Sequence, residues 1–394
     1  MNVPCLLCGK NLSSFHVFDK KAVVNKPIAR PAADHTVTMA VAWCPECRHI
    51  SSAFDDHASR ASMTKEIYGE TYAGYVPTGL SPTQLRYTTF VADWLATTIR
   101  QRGRMVEIGA HDGFFLSLMR DRGFDCEGVE PSPFAENAIT KYGLSIRKEF
   151  FRAGLYEPQS VDVMVLRHIV EHLTDPVPML QAAWEAVKPG GMMYVEVPDS
   201  LGSLQTMFYP EFHVDHISYF TPASLEKILE LCGVSTILHR ESFSAYMQFP
   251  FQMALCRKDA GSARRTPSSW FMDFRMHQVL EEFPRRFREK YLPRLHALKS
   301  AHPLAVWGTG SIGHQFAIDA GWSHDDVVYV DPNPANQGKF LSIAGHEIHP
   351  PKAIDEKNCD TILIASGWEE DVRKQIDATV KKPVRVLSFH DLIC

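Results

Sequence analysis

Blocks of apolar residues alternate with stretches of helical spacing through the middle of the chain. The segments between the apolar blocks, such as FFLSLMRDRG and SPFAENAITKYG, have the period expected of amphipathic helices. A third such segment, DPVPMLQAAWEAVKPGG, ends on glycine, as helices often do. The apolar blocks read as strands over 105–110, 126–131, 161–168 and 192–199. This alternation predicts a doubly wound α/β domain with a mostly parallel sheet.

The same alternation restarts after a polar break near residues 257–270. Strand-like segments PLAVWGTG, DVVYVDP, TILIASG and VRVLSF follow, with a helix-like segment SIGHQFAIDAG after the first. Residues 1–60 show little helical periodicity. We therefore predict an N-terminal module over 1–70, a Rossmann-like domain over 71–260, and a second Rossmann-like domain over 261–394.

Composition narrows the possible classes of protein. The chain has 394 residues, of which 45% are apolar and 22% charged, and its net charge is −5. Scattered basic residues give no phosphate-tracking face, so nucleic acid is not an expected partner. No apolar run is long enough for a membrane span, and the start of the chain lacks the pattern of a signal peptide. We expect a cytoplasmic protein that is a monomer or a small homo-oligomer.

Two Cys-x-x-Cys pairs near the start of the chain predict a metal site. Such a turn lets two thiolates reach one tetrahedral ion, and two turns complete a closed shell of four sulfurs. The 35 residues between the pairs exceed the usual spacing of a zinc ribbon, so an inserted loop or strands are needed. A redox role needs only one pair and is the weaker interpretation. The predicted ligands of a structural Zn²⁺ are Cys5, Cys8, Cys44 and Cys47.

A glycine turn follows the first strand of the middle domain. Its spacing differs from the dinucleotide fingerprint, because His111 stands where the middle glycine belongs. Glu107 precedes the turn, where it would repel a diphosphate but suit the cationic methionyl end of S-adenosylmethionine. Glu130 ends the next strand, where a carboxylate can accept both ribose hydroxyls. The sequence thus favours S-adenosylmethionine over NAD, with candidate cofactor residues Glu107, Gly109, His111, Asp112, Gly113, Glu130 and His168.

Two histidine-rich segments follow the later strands. RHIVEH carries His168 and His172 four residues apart, which also permits a metal pair, although the order differs from His-Glu-x-x-His. FYPEFHVDHISYFT, residues 208–221, concentrates histidines, tyrosines and acids. An Asp-His pair in it, Asp215 and His216, offers a base that a carboxylate can orient. A polar loop with incidental histidines is the alternative.

The order of these motifs resembles the zinc-containing sugar C-methyltransferases that act on nucleotide-linked ketosugars. The resemblance spans nearly the whole chain: both cysteine pairs, VEIGAHDGFFL, RHIVEHLTDP, VEVPD, DHISYFT, GTGSIG and VDPNPANQGK. It implies a nucleotide-sugar substrate and His216 as general base, with Asp215 standing where Glu is usual and His213 where Tyr is usual. It also implies that His172 and a tyrosine, Tyr72 or Tyr75, line the sugar site. The two departures leave methylation at oxygen or nitrogen open.

The C-terminal glycine turn has the dinucleotide fingerprint. Gly308-x-Gly310-x-x-Gly313 follows a strand, and Asp331 ends the next strand. An NAD-linked oxidoreductase is therefore one alternative function, and a scaffold that keeps an inactive methyltransferase fold is another. The resemblance instead implies that this half helps to hold the nucleotide-sugar, which is the interpretation we favour.

Overall fold

Three β-sheets and the helices around them make up a computed structural model of the chain. It describes residues 3–23, 25–34, 36–53, 82–243, 250–259, 271–298 and 302–393. Two predicted site residues, Tyr72 and Tyr75, lie outside the described residues. None of the described helices is long and apolar enough to cross a membrane.

The first sheet is antiparallel and joins distant parts of the chain. Its strands are β1 (Ser13–Ala22), β2 (Thr36–Trp43) and β3 (Ile50–Ala53). A fourth strand, β9 (Ser218–Tyr219), pairs with β3, so that Ile50 lies opposite Tyr219. The histidine-rich segment 208–221 is thereby hydrogen-bonded to the N-terminal sheet.

The second sheet has seven strands and forms the doubly wound part. They are β4 (Arg104–Ile108), β5 (Asp125–Val129), β6 (Ser145–Arg147), β7 (Val161–Arg167), β8 (Val187–Pro198), β10 (Thr236–Phe243) and β11 (Phe251–Arg257). Their order across the sheet is β6-β5-β4-β7-β8-β11-β10. Five strands from β6 to β8 are parallel, and β11 runs antiparallel to β8 and β10. The predicted α/β fold is confirmed for this part of the chain.

Helices cover both faces of this sheet. They are α1 (Pro82–Thr98), α2 (Phe114–Asp121), α3 (Ala135–Tyr142), α4 (Pro176–Ala186), α5 (Ser200–Gln205) and α6 (Pro222–Leu231). Local sequence fixes the start of α6, because the Thr221 hydroxyl accepts from the Ser224 backbone and Pro222 occupies the first turn. That start ends the histidine-rich segment.

The third sheet is parallel throughout and follows a long helical segment. Its strands, in the order β14-β13-β12-β15-β16, are β12 (Leu304–Trp307), β13 (Val327–Val330), β14 (Ile348–His349), β15 (Thr361–Ile364) and β16 (Arg385–Leu387). The helices are α7 (Phe271–Arg286), α8 (Leu292–His296), α9 (Ser311–Ala320), α10 (Ala353–Glu356), α11 (Glu369–Thr379) and α12 (Phe389–Ile393). A π-helical turn, Phe287–Tyr291, joins α7 to α8.

Two hydrophobic clusters connect the sheets. One packs the four N-terminal cysteines against the seven-stranded sheet, through residues such as Phe220 and Leu225. The other joins β1 and β2 to the third sheet through Phe212, Tyr209 and Tyr291, all fully buried. These large aromatic side chains supply much of the apolar contact between the N-terminal sheet and the third sheet. The segment 208–221 therefore lies where all three sheets meet, which fixes its position.

Candidate active site

The glycine turn after β4 has a backbone that few residues can adopt. Gly109 and Gly113 have φ of 75° and 77°, and His111 between them has φ of 48°. A Cβ at Gly113 would lie 2.6 Å from the Ala138 Cβ on α3, so helix packing excludes any side chain there. At Gly109 a Cβ would lie 3.1 Å from Ile169 Cδ1. The turn thus presents its backbone toward the carboxyl ends of β4 and β7.

Glu130 connects this turn to the start of the loop after β5. Its two carboxylate oxygens accept one backbone N–H each, from His111 at 2.8 Å and from Ser132 at 2.8 Å. The residue is only 3% exposed. A carboxylate oxygen has more than one acceptor direction, so Glu130 can hold the turn and still accept hydroxyl donors from a ligand. His111 stacks on Phe134 with ring centroids 4.3 Å apart, and Asp112 accepts from the Phe114 backbone.

Glu107 lies below the turn and is buried, at 3% exposure. Its Oε2 accepts no hydrogen bond within the described part of the chain. Burial raises its pKa to about 8, against the opposing charge of Arg167. A buried carboxylate with an oxygen that lacks a partner stabilises a cationic ligand group placed beside it.

His168 lies between the glycine turn and the histidine-rich segment. Its Nε2 is 2.8 Å from Glu196 Oε1, and its Nδ1 is 3.5 Å from Glu171 Oε1. Burial opposes protonation, but the two carboxylates outweigh it and raise the His168 pKa. Glu196 also pairs with Arg167 at 3.2 Å. His168 is thus held by charged partners at the end of β7, one residue before Ile169, which faces Gly109.

Three histidines from two segments form a cluster beyond this point. The ring centroids of His172 and His216 are 4.8 Å apart, and those of His213 and His216 are 5.0 Å apart. His172 Nδ1 lies 3.7 Å from Asp215 Oδ2, whereas His216 Nδ1 lies 3.8 Å from Glu211 Oε1. The carboxylate nearest to the His216 ring is therefore Glu211. Asp215, which the sequence paired with His216, turns its side chain to His172.

The electrostatic environment separates these histidines. Burial lowers the pKa of His213 to about 3, assisted by the positive charges of His216 and Lys21. Burial would lower the pKa of His216 as well, but Glu211 and the charges of Asp215 and Glu171 raise it to about 9. The cluster therefore combines a neutral imidazole with a strongly basic one.

Three buried acids of the site had no role in the sequence analysis. Glu171, Glu196 and Glu211 are 1%, 0% and 1% exposed. Each adjoins one of the predicted histidines, within the segments RHIVEH, VEVPD and FYPEFH. For Glu171 and Glu211 a nearby histidine in the sequence was the available signal, whereas Glu196 has none in its segment, and the burial of all three depends on tertiary packing. Lys21 on β1, buried at 4% exposure, had no sequence signal.

The four N-terminal cysteines form a compact cluster. Their sulfurs all lie within 4.8 Å of one another, with Cys5–Cys47 and Cys8–Cys44 pairs at 3.4 Å. The two Cys-x-x-Cys motifs adopt the same turn. The backbone N–H of Gly9 donates to the Cys5 carbonyl, that of Arg48 donates to the Cys44 carbonyl, and the two residues have φ of 70° and 62°. Tetrahedral bonds of 2.3 Å require sulfurs about 3.8 Å apart, so the cluster has nearly the size of a four-thiolate metal shell.

The fold and the turn chemistry define a class. The strand order β6-β5-β4-β7-β8-β11-β10, with β11 reversed, and an acid at the end of each of β4 and β5 are those of a class I methyltransferase with a Rossmann-like fold. Residues 83–238 match the model of a methyltransferase domain, which is less than half of the chain. The chain thus carries an S-adenosylmethionine-dependent methyltransferase domain.

Curated relatives that the chain resembles are distant in sequence and match about a quarter to a third of it. A ubiquinone biosynthesis O-methyltransferase of Aeromonas salmonicida is 25% identical over 148 residues, which cover 33% of this chain and 62% of that protein. Its counterpart in Ralstonia nicotianae is 28% identical over 110 residues, covering 26% and 46%. The chain therefore spans about half to three fifths of the length of the curated relatives it matches.

Solved structures are similar to this chain at low identity. The 1,6-didemethyltoxoflavin-N1-methyltransferase of Burkholderia thailandensis is 13% identical, covers 59% of this chain and 99% of its own, and has a TM-score of 0.41. A SAM-dependent methyltransferase of Archaeoglobus fulgidus is 17% identical, covers 49% and 99%, and has a TM-score of 0.37.

Proposed function

We propose that this protein transfers a methyl group from S-adenosylmethionine to a carbon of a nucleotide-linked deoxy-ketosugar. The observation that carries the proposal is the cluster of His172, His213 and His216, with Glu211 and Asp215, beside the glycine turn of the methyltransferase domain. A sugar carbon is not a nucleophile until it loses a proton, so C-methylation needs a base and a group that steadies the enolate oxygen. This cluster offers both.

The donor would lie over the glycine turn. Glu107, buried and without a hydrogen-bond partner at Oε2, suits the ammonium group of the methionyl end. Glu130, held by two backbone N–H groups, suits the ribose hydroxyls. His168 lies at the edge of this site. The donor supplies an electrophilic methyl group on a sulfonium.

His216 is the proposed base, acting in its neutral form. Because its pKa is raised to about 9, the imidazolium is the major form at neutral pH and the rate should rise with pH up to about 9. Glu211, 3.8 Å from its Nδ1, stabilises the imidazolium that forms when the ring takes the proton from the sugar carbon. The electron pair left on that carbon delocalises onto the neighbouring ketone and then attacks the donor methyl. His172, oriented by Asp215, or His213, which stays neutral, would steady the enolate oxygen.

The base is tested with His216→Asn. We expect donor binding within a few-fold of the parent and a rate loss of about 10²–10⁴. Calorimetry with S-adenosylmethionine and release of S-adenosylhomocysteine measure the two quantities, with exposed His324→Asn as the control. The position of the new methyl group in the product, found by NMR, decides the chemistry. A methyl on oxygen or nitrogen would reject the enolate, because those atoms need none.

A methyl group transferred to oxygen is the second candidate reaction. The similarity to ubiquinone biosynthesis O-methyltransferases favours it, although the match covers only about half to three fifths of the length of those proteins. A basic histidine beside a buried acid would serve a hydroxyl as well as a carbon acid. The product analysis described for His216 separates the two reactions.

We also propose that the four-cysteine cluster binds one structural Zn²⁺. Two matching turns and sulfur separations of 3.4 Å support this, and a shell of four thiolates leaves no position for a substrate. The cluster precedes β3, which pairs with β9, so the ion would hold the sheet that anchors the base-bearing segment. Cys44→Ser should lose the metal and destabilise this module. Less than about half an equivalent of zinc in the parent protein would contradict the site.

The nucleotide of the substrate is expected to contact the third sheet. This half meets the methyltransferase domain at α1, where the Thr83 backbone donates to Asp371 at 2.9 Å. Asp371 is 5% exposed, so this hydrogen bond is part of a buried interface. Protection of the α9–α11 region from hydrogen exchange by the nucleotide alone would support this assignment, and its absence would count against it.

A further inference from the structure

Three side chains of the histidine cluster are arranged like the ligands of a metal ion. One ligand atom from each of Glu171, His172 and His216 lies within 4.8 Å of the other two. Glu171 and His172 lie on the 3₁₀ turn Val170–His172, and His216 comes from the segment before β9. The Ile217 backbone donates to the Glu171 carbonyl at 2.8 Å, which fixes the two segments side by side. The triad is thus held by the fold.

The Nδ1 atoms of the two histidines face groups of the kind that orient metal ligands. His172 Nδ1 lies 3.2 Å from the Asp215 carbonyl, which sets the tautomer with its lone pair on Nε2. His216 Nδ1 faces Glu211 at 3.8 Å. A histidine that binds a metal through one nitrogen commonly gives the other to a carboxylate or a carbonyl. His172 has such a partner within hydrogen-bonding distance, whereas His216 Nδ1 makes no hydrogen bond within the described residues and only faces its carboxylate at 3.8 Å.

Glu171 supplies an independent observation. The residue is 1% exposed, and its Oε2 accepts no hydrogen bond from the described residues. A buried carboxylate oxygen without a partner is costly, and a bound cation removes that cost. Its other oxygen lies 3.5 Å from His168 Nδ1, as expected of a ligating carboxylate that is itself held by a neighbour.

We infer that Glu171, His172 and His216 bind a divalent transition-metal ion. Two imidazole nitrogens and one carboxylate oxygen favour Zn²⁺, Co²⁺ or Ni²⁺ over Mg²⁺ and Ca²⁺. Metal–ligand bonds of about 2.0–2.2 Å place ligand atoms roughly 3–3.5 Å apart, so small side-chain movements that bring the ligand atoms up to about 2 Å closer together complete the site. The site is separate from the cysteine cluster and leaves open positions on the ion.

The ion would act on the same residue that we propose as the base. Coordination uses the lone pair with which His216 would accept the proton, so metal binding and C-methylation compete. This consequence rests on the proposed function, whereas metal binding itself does not. We expect the ion to inhibit methyl transfer in proportion to its occupancy of the triad.

Cobalt tests the site in the full-length protein after its cysteine cluster has been loaded with zinc. Adding Co²⁺ should give weak d–d bands for about one further equivalent, without the intense charge transfer that thiolate ligands produce. Glu171→Gln and His172→Gln should each weaken cobalt binding by at least roughly 100-fold, more than loss of an outer partner does. His213→Asn, next to the triad but outside it, should change it only a few-fold. Calorimetry with S-adenosylmethionine checks that each variant is folded.

The outcomes are distinguishable. Absence of a nitrogen–oxygen cobalt spectrum in the parent protein, or equal weakening by His213→Asn, would overturn the metal site. Cobalt binding to the triad without a fall in the release of S-adenosylhomocysteine would overturn the competition. The spectrum needs no acceptor, so failure of the proposed sugar reaction would leave the metal-binding result unaffected.

Discussion

Two glycine turns in this chain follow parallel strands and precede helices, yet their acids serve different ends. At the turn after β4, the carboxylate of Glu130 accepts, among the described residues, two backbone N–H groups, one on each oxygen. After β12, the carboxylate of Asp331 accepts from the Thr309 hydroxyl, the Asn333 backbone and, at 3.1 Å, the Asn336 amide. The first acid retains acceptor capacity toward a ligand, while the second is used by its own loop.

The glycines of the two turns can be compared by what a Cβ atom would contact at each position. Gly308 and Gly313 pack on each other, since a Cβ at Gly313 would lie 2.4 Å from the Gly308 carbonyl oxygen. Within the described residues Gly310 has nothing within 4 Å of its Cβ position, and the three atoms nearest to that of Gly109 belong to Ile169. A fingerprint of glycines therefore specifies a tight turn and close helix packing, and the state of the acid that follows decides what it can bind.

The largest expected effect comes from adding a side chain to the first turn. Gly109→Val should weaken S-adenosylmethionine binding by at least about 100-fold, because backbone strain at φ of 75° adds to the steric cost near Ile169. Gly310→Val is the matched control, since its φ of −80° suits any residue. Calorimetry measures both. Equal loss in the two variants would show that the turns do not differ in function.

The acids give an intermediate effect. Glu130→Ala should weaken donor binding by roughly 10- to 150-fold, the worth of a hydrogen bond to a charged group at about 1.5–3 kcal/mol. Asp331→Ala should leave donor binding unchanged and lower the thermal stability, because it removes the acceptor of the Thr309 and Asn333 donors. The parent protein should show no micromolar binding of NADH. Micromolar binding that Asp331→Ala abolishes would make the second turn a dinucleotide site.

Sequence reasoning reached the class of the middle domain because strand alternation and turn glycines are local signals. It placed Glu107 and Glu130 at strand ends, where the structure has them. It paired Asp215 with His216 because they are neighbours in the chain, but the backbone of the segment points their side chains to different partners, His172 and Glu211. The pairing of β9 with β3, which sets this geometry, joins residues about 170 positions apart, and no local pattern shows it.

The smallest expected effect is a proton released when the donor binds. Burial holds the pKa of Glu107 at about 8, against about 4.5 for an ordinary glutamate, so the carboxyl is mostly protonated at pH 6.5 before binding. The ammonium of S-adenosylmethionine favours the ionised carboxylate and lowers that pKa. Binding at pH 6.5 should therefore release up to ~1 proton, and above pH ~9, where Glu107 is already ionised, it should release none.

Calorimetry at pH 6.5 in buffers of different ionisation enthalpy counts this proton. The amino group of the free donor, with a pKa of about 8, is already mostly protonated there and contributes little. Glu107→Gln keeps the size of the side chain but cannot ionise, so its binding should release no proton and be weaker. An unchanged proton count in that variant would assign the proton to another group, and Glu107 would then not face the ammonium of the donor.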